Sequence, residues 1–169
     1  MAALVQDSGK PTLLLINKWD AVEKDTHTFA QKEEEVREEL TFLDYAPTLF
    51  VSALTGQRTS QIPEKILSLY AEAQRKIPTH EVNQTLRRAI ERTPPRGKRG
   101  KRPPKILYAT QIRCTPPTFA LFSKHGDLLS QEYLRYLGRR FREAFGFEGS
   151  PIRFKIRKNK GTPARGRPR

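Results

Sequence analysis

Apolar residues in the first half of the chain fall into two short runs, and helix-like stretches follow each of them. Residues 12–16 and residues 48–51 are continuous and β-prone, which is typical of strands buried on both faces of a parallel sheet. Between the runs, Thr28 and Gln31 can form a capping box at the start of a helix. A second amphipathic helix is predicted over residues 60–77, packed on that sheet. This order is the one that a right-handed, doubly wound α/β sheet needs.

The second half of the chain predicts a different order of elements. The predicted helix, two strands, longer helix and last strand cover residues 82–90, 105–113, 117–124, 130–145 and 151–157. Ser130 is a suitable N-cap for the longer helix, and Gly146 ends it. The resulting α-β-β-α-β order describes a two-layer α/β unit of about 80 residues, which is enough for a single core. Such an order is compatible with a KH-type domain.

Proline, glycine and charge divide the chain into three predicted parts. Pro78 stops the preceding helix, so residues 77–80 are a plausible joint between domains. We therefore expect one domain over residues 1–78 and a second over residues 79–158. The basic, Gly- and Pro-rich residues 159–169 are predicted to form a disordered tail.

Charge is divided unevenly between the two halves of the chain, whose formal net charge is +14. Residues 1–80 hold 9 Lys and Arg against 12 Asp and Glu, whereas residues 81–169 hold 23 against 6, a net charge of +17. This asymmetry indicates a surface that binds a polyanion. Nucleic acid fits better than a membrane because no apolar stretch is long enough to span a bilayer. The single Cys114 indicates a cytoplasmic setting, and the three His residues lack metal-ligand spacing.

The most basic segment, residues 93–104, is interrupted by Pro and Gly throughout and cannot form regular structure. We predict weak phosphate contacts from five of its cations, the alternative being a role in solubility alone. These cations are Arg96, Lys98, Arg99, Lys101 and Arg102.

A KH clamp is a Gly-x-x-Gly loop that holds nucleic-acid backbone. Two such strings occur, at residues 97–100 and at residues 146–149, but neither joins two predicted helices. The second string contains an acid and a large aromatic residue, so it is predicted to be a structural turn. Most aromatic side chains follow the apolar periodicity and are expected in the core rather than as stacking platforms for bases.

A polar motif that suits guanine, Asn17-Lys18-Trp19-Asp20, directly follows the first predicted strand. The Asp20 carboxylate can accept from both N1–H and the amino group of guanine, whereas adenine offers no such pair of donors. Asn17 can bridge the base and neighbouring loops, and Lys18 can lay its methylene stem over the purine. Ligands of open α/β sheets bind at the carboxyl ends of the strands, where this motif lies. The alternative is a polar turn after a core strand.

A second motif, Ser52-Ala53-Leu54, follows the second predicted strand. In GTPases a Ser-Ala loop at this place supplies a backbone N–H to guanine O6, while the serine hydroxyl braces the aspartate. Two matching motifs at the ends of two successive strands favour a guanine site over a chance occurrence.

The parts that handle phosphate are absent from the sequence. It contains no Gly-x-x-x-x-Gly-Lys-Ser/Thr loop and no Asp-x-x-Gly. Those parts cradle the phosphates, position Mg²⁺ and carry phosphoryl-transfer catalysis. We therefore predict no catalytic residue and no metal ligand, and we expect no nucleotide hydrolysis by this polypeptide alone. Residues 1–8 look like the end of a helix, so the reading frame is expected to open within a domain.

Together these motifs resemble the C-terminal part of the bacterial double-GTPase family called Der or EngA. The strings that carry the resemblance are residues 17–20, 50–54, 83–89, 108–111, 116–119, 135–137 and 141–152. The resemblance implies tandem GTPase domains, a terminal KH-like domain and a role in assembly of the large ribosomal subunit. It implies that GTP or GDP is the ligand, with Mg²⁺ only where a phosphate-binding half is present. The residues that it places on guanine are Asn17, Lys18 and Asp20, with Ser52, Ala53 and Leu54 closing over the base.

The fold class expected from all of this is α/β: a truncated P-loop-type, doubly wound GTPase sheet followed by a small α-β-β-α-β KH-like domain. The predicted function is that of a Der-type GTP-binding protein in large ribosomal subunit biogenesis, which keeps guanine recognition and a KH-like domain facing RNA or the ribosome. Ribosomal RNA or the large subunit and a guanine nucleotide are the expected partners, without a membrane. One alternative is a stand-alone basic RNA- or ribosome-binding module without nucleotide function. Another is a non-functional remnant of truncation or of a wrong start codon.

Overall fold

The computed structural model describes residues 2–22, 28–97 and 102–158, which form a mixed α/β structure with two small sheets. Its α-helices are α1 (Ala2–Ser8), α2 (Thr28–Glu39), α3 (Gln61–Ala73), α4 (Thr79–Arg92) and α5 (Gln131–Phe145). Its strands are β1 (Leu14–Ile16), β2 (Thr48–Phe50), β3 (Lys105–Arg113), β4 (Thr118–Lys124) and β5 (Arg153–Lys158). We call α1 to α3 the N-terminal region and α4 to β5 the C-terminal region. No helix in the described ranges is long and apolar enough to cross a membrane.

The N-terminal region is built on a pair of parallel strands. Strands β1 and β2 lie side by side with Leu14 opposite Thr48 and Ile16 opposite Phe50. The ladder continues one residue further, where Val51 N donates to Ile16 O at 2.8 Å. The predicted adjacency of the two apolar runs is therefore confirmed. Both strands end at the same edge, so the loops that follow them are neighbours.

Apolar packing around this pair is thin. Leu43, Tyr45 and Ala46 form a small buried cluster beneath Val5 and Leu14. Helix α2 buries none of its own side chains and ends at Glu39, and a short 3-10 turn over Thr41–Leu43 follows it. Large apolar residues of the region stay exposed, among them Leu15 at 45% and Leu67 at 68%. The pair alone therefore does not bury enough apolar surface for a substantial core.

The C-terminal region has the predicted α-β-β-α-β order. Strand β4 is central, antiparallel to β3 and parallel to β5. Helices α4 and α5 cover one face of this sheet, and Ser130 caps α5 by accepting from Tyr133 N at 3.1 Å. The core between helices and sheet includes the fully buried Val82, Leu86, Phe119, Leu121, Leu137, Phe141 and Phe147.

Helix α5 buries Tyr133, Leu137, Phe141 and Phe145 along an i, i+4 series, and Ala144 is exposed. Helix α3 was expected to pack on the sheet of the N-terminal region. Its buried Leu69 and Ala73 instead lie beside Gly149 and Thr115 of the C-terminal region. The remaining face of α3 leaves Ile66 and Tyr70 exposed.

The exposed edge of β3 is covered by a side chain of α4. Asn83 accepts from Ala109 N at 2.9 Å and donates to Ala109 O at 2.9 Å, which reproduces the pairing of a neighbouring strand. Beside it, the Gln111 side chain of β3 itself accepts from Ile77 N and donates to Arg75 O, which ties the segment before α4 to this strand. A sheet edge that is satisfied in this way is protected from pairing with another chain.

Candidate functional site

The two loops that follow β1 and β2 are joined by one side chain. We call residues 17–20 the first loop and residues 52–54 the second loop. Asn17 Oδ1 accepts from Lys18 N at 2.8 Å and from Ala53 N at 3.0 Å. Trp19 N donates to Val51 O at 3.1 Å, which adds a backbone link between them. The structure therefore brings the two predicted motifs together at the carboxyl edge of the parallel pair.

The backbone of the first loop takes an unusual conformation at Lys18, with φ of 63° and ψ of 32°. A lysine in the left-handed region is disfavoured, so the surrounding contacts must hold it there. The bond to Asn17 provides one such contact. Behind the loop, the buried Trp19 ring lies 4.6 Å from the Phe50 ring and 6.1 Å from the Phe29 ring. This aromatic trio anchors the loop and leaves Lys18 and Asp20 at the surface.

The second loop has one buried and two exposed predicted site residues. The Ser52 side chain is fully buried, and its hydroxyl accepts from Thr55 N at 3.1 Å. Ala53 is exposed, and Leu54 is 87% exposed. The bracing of Asp20 by the Ser52 hydroxyl stays a prediction.

These positions define what the edge can do chemically. The Lys18 and Asp20 side chains are exposed on the first loop, and the exposed Leu54 side chain lies on the second loop. Such an arrangement can present acceptors to a base edge and apolar atoms to its face. Within the described residues, no three His, Cys, Asp or Glu side chains form a group that could hold a metal ion.

A turn of the C-terminal region contacts the opposite ends of both parallel strands. Gly149 O accepts from Thr12 N at 2.8 Å, just before β1, and Gly149 N donates to Tyr45 O at 2.8 Å, just before β2. Glu72 of α3 accepts from Phe147 N at 2.9 Å. We call residues 146–150 the junction turn.

The junction turn is held from within the C-terminal region as well. Arg142 donates to Phe147 O at 2.7 Å and to Ser150 O at 2.8 Å, and its guanidinium lies 5.5 Å from the centre of the Tyr45 ring. Burial lowers the pKa of Arg142 and raises the pKa of Tyr45. The prediction that residues 146–149 form a structural turn is supported by this set of bonds and by the fully buried Phe147.

The predicted basic surface is described only in part. Arg96 and Arg102 are exposed, and the exposed Arg87, Arg88 and Arg92 of α4 extend the cationic area. Lys98, Arg99 and Lys101 lie outside the described residues. The start of this loop is fixed on α5, because the Tyr133 hydroxyl donates to Thr93 O at 2.9 Å. Burial raises the pKa of Tyr133 to about 12.

A stacked aromatic pair outside the core was missed by the sequence reasoning. Tyr108 and Phe122 are cross-strand neighbours whose rings lie 4.3 Å apart at an interplanar angle of 10°, and Tyr108 is 40% exposed. A register shift between Ile106 and Tyr108 puts Ile106 and Ala109 in the core and turns Tyr108 to the other face. In a regular strand, alternation would put Ile106 and Tyr108 on one face, and the bulge that separates them leaves no clear signal in a single sequence.

The α-β-β-α-β order, with both helices on one face of a mixed three-stranded sheet, defines a KH-like domain. Residues 76–157 match the family described as "KH-domain-like of EngA bacterial GTPase enzymes, C-terminal". The chain is 43% identical over 155 residues to "GTPase Der" of Desulforamulus reducens and 45% identical over 158 residues to "GTPase Der" of Pelotomaculum thermopropionicum. These matches cover 92% and 94% of this chain and 35% and 36% of the relatives.

A third relative extends the match almost to the full chain. "GTPase Der" of Gloeobacter violaceus is 44% identical over 166 residues, which is 98% of this chain and 36% of the relative. The chain is therefore similar to the C-terminal region of Der (EngA) GTPases, that is, to their KH-like domain and the part before it. It spans about a third of the length of the curated relatives that it matches.

Proposed function

We propose that this chain recognises guanine nucleotides through the first and second loops and binds RNA or the ribosome through its C-terminal region. The observation that carries the proposed guanine recognition is the bond between Asn17 and Ala53 N, because it fixes the first and second loops against each other. In this proposal residues 1–78 are the C-terminal part of a doubly wound GTPase domain, and residues 79–158 are the KH-like domain. The biological setting is that of the Der family, assembly of the large ribosomal subunit.

Each site residue has a separate role in this proposal. Asp20 accepts from N1–H and the amino group of guanine, and Lys18 covers one face of the ring. Asn17 positions the second loop by accepting from Ala53 N, another backbone N–H of that loop donates to guanine O6, and Leu54 covers the base from the other side. Ser52 is buried and fixes the backbone of the second loop through Thr55.

Phosphate contacts and catalysis are not assigned to this chain. The sequence lacks the glycine-rich loop that would cradle phosphates, so Mg²⁺ would bind only with phosphate ligands that another part of a Der-type protein supplies. Base contacts alone give weak affinity, on the order of a millimolar dissociation constant. We therefore assign selectivity for the base, and not tight binding, to these two loops.

The C-terminal region supports the second half of the proposal by its charge. Arg87, Arg88 and Arg92 are exposed on α4, and Arg96 and Arg102 are exposed on the following loop. Cations in such numbers bind phosphate groups without reading sequence. The same observation supports the alternative of a basic RNA- or ribosome-binding module without nucleotide function, which the nucleotide experiment below distinguishes.

The test is a titration of the ¹⁵N-labelled chain with GDP and with ADP, followed through the amide signals of Lys18 and Ala53. We expect GDP to shift both signals in a saturable manner and ADP to leave them unchanged. In Asp20→Asn the response to GDP should fall, and xanthosine diphosphate should become the better ligand. The reason is that xanthine carries a carbonyl where guanine carries its amino group, so an amide N–H can donate to it.

The matched control is Asp127→Asn. Asp127, like Asp20, is an acid at the second position of a 3-10 turn that follows a left-handed residue, but it lies in the C-terminal region. This variant should respond to GDP as the unaltered chain does. Equal shifts with GDP and ADP would reject the guanine assignment and leave the basic module as the function.

A further inference from the structure

The face of the β3–β4–β5 sheet that points away from α4 and α5 is lined by aromatic and cationic side chains. The strand registers place Tyr108, Phe122 and Arg157 side by side in one row across this face. Lys155 lies in the next row, opposite Ala120. Leu121 and Ala109, whose side chains point the other way, are in the core beneath the helices.

The two rings in this row are packed against each other but not into the core. They are stacked at 4.3 Å, and Tyr108 keeps 40% of its surface exposed. A flat, partly exposed pair of rings offers a π surface on which a nucleotide base can stack without regard to its identity. The pair is therefore suited to a ligand that has planar groups.

Charge on the same sheet has a single sign. The three strands contain no Asp or Glu, and Lys105 lies directly opposite Lys124. Like charges on opposed strand positions destabilise a sheet unless something neutralises them. Among the described residues, no carboxylate forms an ion pair with Lys105, Lys124, Lys155 or Arg157. A polyanion that lies along the sheet would neutralise these four cations.

We propose that this surface, the open sheet face formed by Lys105, Tyr108, Phe122, Lys124, Lys155 and Arg157, binds a single-stranded segment of RNA. One base stacks on the Tyr108–Phe122 pair, and neighbouring phosphates contact the four cations. The bases of a duplex are already stacked on one another, so single strands fit this face better than duplexes. The inference rests on the proposed RNA function of the C-terminal region and specifies the surface that carries it, which differs from the basic loop at residues 93–104.

The experiment measures affinity for an unstructured RNA oligonucleotide by fluorescence anisotropy over a range of salt concentrations. Tyr108→Ala should weaken binding at least about fivefold while leaving the salt dependence unchanged, because it removes stacking and no charge. The double variant Lys155→Ala/Arg157→Ala should reduce the slope of log affinity against log salt by about 1.4, since each lost phosphate contact contributes about 0.7. Tyr108→Leu keeps an apolar contact with Phe122 but has no ring on which a base can stack. It should also weaken RNA binding, which shows that the loss comes from stacking and not from a disturbed fold.

Matched controls lie outside the three-stranded sheet. Tyr70→Ala removes a tyrosine that is 59% exposed on α3, and Lys10→Ala/Lys76→Ala removes two exposed cations, so both should bind RNA as the unaltered chain does. If the unaltered chain binds RNA and the sheet variants bind it equally well, the open sheet face is not the RNA surface, although the proposed function survives. If the unaltered chain binds no RNA even at low salt, both the inference and the proposed RNA function are rejected.

Discussion

The parallel pair β1–β2 and the three-stranded sheet β3–β4–β5 belong to one chain but differ in how they are supported. The parallel pair has three residues in each strand and a small cluster of three buried residues beside it. The larger sheet has two helices on one face and a continuous core that runs from Ile77 to Phe147. Parallel sheets are normally covered on both faces, whereas Leu15 on β1 is 45% exposed. The comparison indicates that the C-terminal region supplies its own stability and that the N-terminal region depends on the junction turn.

The junction turn and the two loops at the opposite end of the parallel pair are expected to have different roles, one in stability and the other in ligand binding. The junction turn has bonds on both sides and a buried Phe147, and it connects the two regions. The first and second loops are joined to each other by the bond between Asn17 and Ala53, and their predicted site side chains other than Ser52 are exposed. We therefore expect changes in the junction turn to affect stability, and changes in the two loops to affect base selectivity.

The largest effect is expected from Phe119→Ala, because Phe119 is fully buried at the centre of the larger core. Loss of this ring should lower the free energy of unfolding by about 3–5 kcal/mol. Urea unfolding followed by circular dichroism and by fluorescence of Trp19, the single tryptophan, should show both transitions shifting together. The Trp19 fluorescence transition shifts because the N-terminal region is bonded to the C-terminal region through the junction turn.

Leu43→Ala is the counterpart of that variant in the smaller cluster. Leu43 is 3% exposed and lies in the N-terminal region, so its truncation should shift the Trp19 transition to lower urea and leave most of the circular dichroism change in place. Transitions that stay coincident in Leu43→Ala would show that the two regions unfold as one.

A somewhat smaller effect is expected from Gly149→Ala. Gly149 has φ of +74°, and an added Cβ would lie 2.9 Å from Leu69 Cδ2 and 3.0 Å from Thr12 O. The left-handed conformation alone disfavours a side chain by about 1–2 kcal/mol, and the two close contacts add to that. The Trp19 transition should shift to lower urea because the bonds to both parallel strands are strained.

Gly56→Ala isolates the conformational part of that effect. Gly56 has a similar φ of +75°, but its added Cβ would meet only Thr59 Oγ1 at 4.0 Å. We expect Gly149→Ala to destabilise the N-terminal region more than Gly56→Ala does. Equal effects would mean that the junction turn contributes nothing beyond its backbone conformation.

High pH should affect the C-terminal region through Tyr133. Its pKa in the folded protein is raised to about 12 from an ordinary value of 10.0, because burial disfavours the phenolate. The stability that this group contributes is therefore complete below pH 10 and is lost as the pH rises through 12. Urea midpoints measured across this interval should fall more steeply for the unaltered chain than for Tyr133→Phe. Parallel slopes for the two proteins would contradict this assignment.

The smallest effect is expected from the exposed ion pair between the regions. Lys65 Nζ lies 2.9 Å from Glu148 Oε2, and their side chains are 35% and 51% exposed. An exposed pair of this kind contributes less than about 1 kcal/mol, and salt screens it. Lys65→Ala should therefore leave the Trp19 transition almost unchanged. A shift as large as that of Gly149→Ala would make the ion pair, and not the backbone bonds, the main connection.

Local patterns in the sequence predicted much of the fold, because apolar runs and caps act over a few residues. The two apolar runs that form β1 and β2, the N-cap Ser130 and the turn at Gly146 are of this kind. The bonds that Gly149 makes with Thr12 and Tyr45 join residues more than a hundred positions apart, and no local pattern indicates them. For the candidate site, the sequence placed residues 17–20 and 52–54 at the ends of two successive strands and predicted that Asn17 bridges neighbouring loops, as its bond with Ala53 N does. It did not reveal that a register shift turns Tyr108 to the open sheet face.

Native-state hydrogen exchange tests the central claim of this comparison most directly, because it reports the opening free energy of each amide separately. The central claim is that a self-sufficient KH-like domain holds the thin parallel pair β1–β2 in place through the junction turn. We predict that Ala109 and Leu121 amides exchange only through global unfolding. The Val51 amide should exchange at a distinctly lower free energy, which Gly149→Ala lowers further. Equal opening free energies for all three amides, unchanged by Gly149→Ala, would contradict the account.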